Sequence, residues 1–417
     1  MTTRALATRP GPRLQAGRRH LALEENGTLE LPLDGPGSLS ESEVAALSRL
    51  RELRVTRTGA RWRIEAAPNR VGALATDTLE VTIRPKVPVT SVLALLGYTS
   101  KVRILPGDVH ALPGAELVGA LAYSLARQAE RALRTGPLRA YRWREETSWR
   151  ARGRLRIGRQ ISRHQGRPLP LEVTVRERSI DCAENRILAA ALRVMSGVPR
   201  VPADVRRRLA ASAALLRDVA PLTPGAPLPR VHLTRLNEHY GPALALASLI
   251  WRYLGADADW HASASPGQTQ LAAFTLDMAR VFEDFVSVRL AEAAPEVGVL
   301  VRPQWRMALD TDGEFTVLPD LTVLRRGAAG EAPRTLAVAD VKYARAVATD
   351  HLYQVAAYAQ RLDLAEAHLI YPTDVGRTRV ELRGSGVHVH IHALDLAAPH
   401  DALRRQGGDL LRTLAGE

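Results

Sequence analysis

The chain has 417 residues, 46% of them hydrophobic, and carries 57 Lys+Arg against 44 Asp+Glu for a net charge of +13. That length corresponds to two or three domains of ~100–200 residues, and the basic balance favours a polyanionic partner, most simply nucleic acid, unless it reflects only a high-arginine proteome. One cysteine, Cys182, excludes an intramolecular disulfide and a cysteine-based zinc site, as suits a reducing cytoplasm, while the longest apolar run, Leu244 to Leu254, is broken by Arg252 and falls well short of the ~20 residues of a membrane span.

Of the 57 basic residues only three are lysines, Lys86, Lys101 and Lys342. Where surface charge alone was needed the chain uses arginine, so each lysine marks a place where a compact, tunable point charge is a candidate for chemistry. The Arg-rich, acid-free stretch from Met1 to His20 lacks the apolar core of a secretory signal and reads as a basic tail. From about 28 to 90 the pattern is short and β-like. Arg51–Thr58, Arg61–Ala66 and Leu79–Arg84 read as strands between Gly, Pro and Asn, and Ser91 is placed to cap a short helix through Leu96. A longer helix is predicted from Gly114 to Leu133, with Leu117, Leu121, Leu125, Ala129 and Leu133 along one stripe.

Arg131 to His164 holds eleven arginines and two acids, with Tyr141, Trp143 and Trp149 interleaved. Leu138–Trp143 and Ser148–Ile157 are predicted as the strands of a basic β-hairpin turning at Arg144–Thr147. So few apolar residues bury little, so such a hairpin projects and binds something, or else is a solvated charged loop. A strand near Leu171–Val175 precedes predicted helices at Ile180–Met195, Pro202–Val219 and Gly241–Tyr253, with a Pro/Gly-rich linker at Pro221–Pro229. The small, polar segment Ala262–Gln268 marks the main domain boundary, and no internal repeat is visible.

Beyond it the predicted order is helix, strand, strand, helix, strand. Phe274, Met278, Val281, Phe282 and Phe285 form one helical stripe with Glu283 beside it. Phe315–Leu324, interrupted at Pro319-Asp320, and Leu336–Tyr343 read as an antiparallel pair. Thr349 or Asp350 can cap a helix through about Leu362, and Ala367–Tyr371 is a buried strand. Asp340 and Lys342 are two apart on one strand, so both point to the same face, and Asp320 can come alongside. Two carboxylates make a hard oxygen site that suits Mg²⁺, which would polarise a scissile phosphate and activate water. The lysine could orient that water and stabilise developing charge. Gln354 and Tyr358, at i and i+4, share the face of the following helix.

Taken in order, Val317-Leu318-Pro319-Asp320, Ala339-Asp340-Val341-Lys342-Tyr343, Asp350…Gln354…Tyr358 and Leu369-Ile370-Tyr371-Pro372 resemble the PD-(D/E)xK nuclease domain of the McrC family, the nuclease subunits of McrBC-type modification-dependent restriction systems. Upstream, Leu276–Val286 resembles the family's first nuclease helix, Arg152-Gly153-Arg154-Leu155 and Glu184-Asn185-Arg186-Ile187-Leu188 its middle region, and Ile83-Arg84-Pro85-Lys86-Val87 a segment of its N-terminal domain. The resemblance covers about 80–417. It implies an α+β multidomain chain: an N-terminal partner-binding region over 1–265 (β-rich over 20–100, helices and the projecting basic hairpin over 101–265), then a C-terminal α/β/α restriction-endonuclease-like domain over 266–417. It implies Asp320, Asp340, Lys342, Glu283, Gln354 and Tyr358 as catalytic residues, with Asp320, Asp340 and Glu283 on the Mg²⁺ side. The adjacent Asp284 competes with Glu283 as third acid. It implies a McrB-like AAA+ GTPase hexamer as partner, double-stranded methylcytosine-containing DNA as substrate and no membrane. The chain has no Gly-x-x-x-x-Gly-Lys-Ser/Thr loop, so GTP belongs to the partner. The hairpin is the candidate element for stimulating that GTPase, with Arg142, Arg144 and Glu145 as contacts flanking its tip. A repair nuclease acting alone or with another motor, and a non-catalytic DNA-binding adaptor, are the alternatives.

Weaker signals have bland readings beside them. His388, His390 and His392 alternate, as transition-metal ligands or as the exposed face of a strand whose other face is Val387, Val389 and Ile391. Cys182 has no evident activating partner and reads as a packing residue. Glu145-Glu146 reads as local charge neutralisation, and Trp143 and Trp149 either stack on bases or pack between hairpin strands.

Overall fold

The computed structural model describes residues 13–15, 18–76, 78–99, 117–165, 167–223, 226–254, 272–327, 333–396 and 398–417. The chain forms two compact units, Met1–Val118 with Ala264–Glu417, and Gly119–Ser263. The segment 262–268, expected as the boundary, lies outside the described residues. Among the described residues no helix is long and apolar enough to cross a membrane.

The first stretch runs β1 (Arg13–Gln15), β2 (Arg18–Glu24), β3 (Thr28–Pro32), α1 (Glu41–Ser48), β4 (Leu53–Thr58), β5 (Arg61–Ala66), β6 (Arg70–Ala75), β7 (Leu79–Arg84) and α2 (Val89–Thr99). Alternation drives these strands: Leu21 and Leu23 on β2, and Val81 and Ile83 on β7, point into one core with Leu47, Ile64, Leu74 and Leu79. Ser40 and Glu43 form a capping box that starts α1. β3, β5 and β4 form an antiparallel sheet, and β2 pairs parallel to β7. α2 begins two residues before Ser91, whose N–H already bonds the Pro88 carbonyl at 2.9 Å, so Ser91 lies in the first turn and is not the cap.

The second unit contains all but the first two residues of α3 (Leu117–Ala132), whose Leu121, Leu125 and Ala129 are buried as the stripe predicts, although residues 114–116 lie outside the described ones. It continues with β8 (Ala140–Ser148), β9 (Arg154–Leu155), α4 (Ile157–His164), β10 (Leu171–Ser179), α5 (Ala183–Gly197), α6 (Ala203–Ala214) and α7 (Gly241–Leu254). Here the expected hairpin is corrected. Arg144–Thr147 is not a turn but the middle of an unbroken β8, which pairs antiparallel with β10 from Ala140↔Ser179 to Ser148↔Leu171. The return strand shrinks to β9, on the other side of β10, and Ile157 opens a helix. Gly153 makes this possible. Its φ is +66°, and a Cβ there would stand 2.3 Å from the Thr174 carbonyl oxygen, so only glycine lets the chain fold back onto β10.

The chain then returns with β11 (Ala272–Asp277), which pairs antiparallel with β6 and completes the sheet order β1-β2-β7-β6-β11. Phe274, expected on a helix, therefore sits on a strand. The helix α8 (Met278–Val297) starts four residues later, where the Asp277 carboxylate accepts the N–H groups of Ala279 and Arg280. β6 and β11 approach closely at Gly72, where a Cβ would come within 1.9 Å of the Phe274 carbonyl oxygen. Next come β12 (Val299–Pro303), β13 (Met307–Ala308), β14 (Thr316–Val317), β15 (Leu321–Arg325), β16 (Arg334–Val341), α9 (Thr349–Arg361), β17 (Glu366–Tyr371), β18 (Arg379–Glu381), β19 (His388–Ala393) and α10 (His400–Ala415). Six of these strands make one mixed sheet in the order β12-β15-β16-β17-β19-β18. β15 and β16 are antiparallel, as expected, and β16, β17 and β19 are parallel. α9 packs Val355, Tyr358 and Ala359 against Val338, Leu369, Tyr371 and Val389. α8 and α10 pack together and against β12 and β16 respectively.

Candidate active site

The antiparallel register of β15 and β16 brings the candidate acids together. Asp320 lies just before β15, and its Oδ2 accepts the Val341 N–H at 2.7 Å, tying the start of one strand to the end of the next. Asp340, on β16, is only 1% exposed. Lys342, two residues on, places Nζ 2.6 Å from Asp340 Oδ2. The same Nζ donates to Gln354 Oε1 at 2.8 Å, and Gln354 Nε2 donates to the Tyr358 hydroxyl at 2.7 Å. The i,i+4 pair on α9 thus holds the lysine from the side.

Burial and the neighbouring Asp340 charge push the Asp320 carboxyl well above the usual carboxylate range. Glu283, on α8, is also raised, chiefly by burial, although Gln304 Nε2 donates to its Oε1 at 2.6 Å. The Gln304 N–H in turn bonds the Asp320 carbonyl at 3.1 Å, so this residue couples α8 to the β15 entry. Among the described residues, no group of three or more His, Cys, Asp or Glu is arranged to hold a metal ion. The acids form a crowded Asp320/Asp340 pair, with Glu283 lining the same cleft and Asp284 absent from its lining. Two hard carboxylates whose mutual repulsion favours protonation of one of them are a donor set that an oxygen-seeking divalent cation fits.

The cleft, about 1030 Å³, is lined by Glu283, Asp320, Asp340, Lys342 and Gln354, and also by Asn26, Asn69 and Lys86 from the N-terminal stretch. Asn26 and Asn69 both adopt left-handed backbone, and Asn26 Oδ1 accepts the Asn69 N–H at 2.6 Å. The Asn69 carbonyl accepts the first helical N–H of α8, from Met278, at 2.8 Å. Glu25, 1% exposed, accepts the Lys86 N–H at 3.1 Å and the Tyr343 hydroxyl at 3.4 Å. Sequence reasoning missed Glu25, Asn26, Asn69, Gln304 and His351, whose Nδ1 is 2.8 Å from the Tyr371 hydroxyl. Each acts through a partner remote in sequence. Only Lys86 carried a signal, as one of three lysines.

Arg142, Arg144 and Glu145 flank no tip. They lie mid-strand on β8, exposed but paired: Arg142 with Asp181, Arg144 with Glu177 at 3.3 Å, and Glu145 with Arg156. Glu146 bonds Arg152 at 2.7 Å, so the adjacent acids do neutralise local arginines. Trp143 and Trp149 are 66% and 73% exposed and do not pack between strands. Cys182 is buried, and burial pushes its thiol up to about 11, leaving a packing residue. Val389 and Ile391 of β19 are buried, but the histidine face is not open to solvent as expected. His368 of β17, itself buried, stacks on His390 and His392 and meets His392 Nε2 with Nδ1 at 3.1 Å. Burial holds His368 at about 3 and His392 at about 4, so both are neutral imidazoles.

The fold and site together describe a mixed α+β chain with a carboxylate pair and a lysine at the ends of two interior strands, β15 and β16, of a six-stranded sheet. The chain belongs to the family of McrBC 5-methylcytosine restriction system components, whose family model matches residues 66–372. A solved structure with a similar fold is a chain of the refined half-complex from the tetradecameric assembly of Thermococcus gammatolerans McrB AAA+ hexamers with bound McrC, at 19% identity and a TM-score of 0.56 over 94% of this chain and 100% of that one. A chain of the cryo-EM structure of the Thermococcus gammatolerans McrBC complex matches at 21% identity and a TM-score of 0.41, over 66% of this chain and 88% of that one. No curated protein matches the chain.

Proposed function

We propose that this chain is a Mg²⁺-dependent endodeoxyribonuclease subunit with a PD-(D/E)xK domain, cutting double-stranded DNA at Asp320, Asp340 and Lys342. The observation that carries this reading is the buried Asp340 paired with Lys342 beside a second, protonation-prone Asp320, all lining one cleft. Asp320 and Asp340 would hold the cation, with Glu283 lining the cleft beside them. Bound Mg²⁺ would supply polarisation of the phosphate and a water of lowered pKa. Lys342 orients that water and stabilises charge growing on the phosphate, a contact worth ~3–4 kcal/mol of barrier. Gln354 and Tyr358 keep the ammonium in place.

The similar Thermococcus gammatolerans assembly contains McrB AAA+ hexamers with bound McrC. We carry that arrangement to this chain: a McrB-like AAA+ GTPase hexamer binds GTP, reads methylcytosine-containing DNA and delivers it, and this chain stimulates the GTPase and cuts. Arg142, Arg144 and Glu145, exposed along β8, are the candidate partner contacts. The test is cleavage of methylated and unmethylated plasmid by the assembled complex with Mg²⁺ and GTP, wild type against Asp340→Ala. We expect cleavage that requires methylation, GTP, Mg²⁺ and Asp340. Cleavage without GTP would retain the nuclease and discard the hexamer-driven mechanism. Equal cutting by Asp340→Ala would overturn the catalytic assignment.

A further inference from the structure

The proposed chemistry uses Lys342 and leaves Lys86 unexplained. In a chain that spends arginine almost everywhere, the two lysines among the described residues line the same cleft. Lys86 follows Pro85 at the end of β7, on the opposite half of the sequence from β16. Its position is fixed through its backbone: the N–H is held by Glu25, which also accepts the Tyr343 hydroxyl one residue beyond Lys342. A buried acid thus ties the lysine-bearing end of β7 to the lysine-bearing end of β16. The side chain is not spent on that anchor and reaches the half-buried lining of the cleft.

We propose that Lys86 is a DNA-contacting residue of this site, gripping a backbone phosphate of the strand that enters the cleft, with Glu25 as the positioning residue beneath it. The proposal rests on the nuclease reading and adds that the N-terminal β stretch supplies part of the substrate-binding surface. Three observations support it. The cleft is lined by Glu283, Asp320 and Asp340 beside Lys342 and Arg345, and a polyanion approaching three acids is favoured by further cations close by. An ammonium on a flexible stem can follow a phosphate whose position shifts during hydrolysis, whereas a guanidinium fork fixes one geometry. Finally, the hydrogen bond that Glu25 accepts from Lys86 comes from the backbone N–H, which leaves the ammonium out of that anchor. Glu25 Oε1 is itself buried without a hydrogen-bond partner, so it is held in place by what its other oxygen binds.

The test uses the assembled complex with Mg²⁺ and GTP and measures cleavage rate against plasmid concentration at several salt concentrations. Variants are Lys86→Ala, Lys86→Met, which keeps most of the stem, and Lys86→Arg, which keeps the charge. We expect Ala and Met to raise the half-saturating DNA concentration about tenfold at moderate salt. The log–log salt slope should become shallower by about one, the signature of one lost phosphate contact. The saturated rate should stay within a few-fold, and Arg should restore most of the affinity. Glu25→Gln should give a milder change in the same direction. Wild-type half-saturation and slope in a Met variant with an unchanged melting transition would overturn the proposal. A saturated rate that collapses with half-saturation unchanged would also overturn it, assigning Lys86 to the fold of the site and not to DNA. Asp340→Ala run in parallel separates the two failures: its equal cutting sinks the nuclease reading, while its inactivity beside normal Lys86 variants sinks only this inference.

Discussion

The acidic cleft and the arginine-rich sheet of the second unit use charge in opposite ways. Around β8 and β10 the charges are exposed and answered: Arg144 by Glu177, Arg152 by Glu146, and Asp181 by both Arg186 and Arg142. In the cleft the charges are buried and under-answered. Asp320 and Asp340 crowd each other, Glu283 adds a third negative group, and one ammonium, Lys342, pairs with Asp340. A surface network of paired charges costs and contributes little. Buried like charges crowded in this way recur at functional sites, which is why the proposed function rests on this arrangement and not on the more conspicuous arginine run.

The comparison breaks most sharply at Asp320. Asp320→Asn should reduce cleavage by about 10²–10³-fold, yet without divalent cation its melting temperature should equal or exceed that of wild type, because the amide still accepts the Val341 N–H and carries no charge. A drop of several degrees would make Asp320 a structural acid. Asp181 is the opposite case. Hydrogen bonds from Arg186, with help from the Ala220 N–H and Arg142, hold its carboxyl at about 2. Asp181→Asn should therefore cost about 1–3 kcal/mol in urea denaturation at pH 7. The sign in pH follows: a depressed carboxyl stabilises the fold above its ordinary value of 3.8 and loses that contribution as pH falls through about 2. The variant should lack this part of the acid limb, and equal acid sensitivity in both proteins would remove Asp181 as its cause. The smallest effect is expected at Arg144, whose side chain is 56% exposed. Arg144→Ala should change stability by no more than about 0.5 kcal/mol. Loss of partner GTPase stimulation in so neutral a variant would identify a contact, and full stimulation would remove Arg144 from the candidates.

What the sequence disclosed follows the same division. Asp340 and Lys342 were legible because strand alternation is local and lysine is rare here. The Gln354–Tyr358 pair was legible because helical spacing is local too. The hairpin was misdrawn because Arg144–Thr147 resembles a polar turn until β10, more than twenty residues on, supplies a nine-residue partner. Phe274 fell on the wrong element because four-residue spacing continues smoothly from a strand end into a helix. Gln304 and Glu25 gave no sign, since each matters only through a carboxylate or carbonyl brought near by tertiary folding.

The strand β11 carries a last consequence. It belongs by sequence to the C-terminal part and by hydrogen bonding to the N-terminal sheet, and among the described residues its strand partner is β6. Expressing the C-terminal part from residue 266 onward would therefore leave a raw sheet edge, with the normally buried Phe274 and Leu276 next to the helix that bears Glu283. Such a fragment should clump before it could cut. The carboxylate-bearing part is thus not a cassette that could be lifted out whole: its first strand is completed by β6, from the other end of the chain.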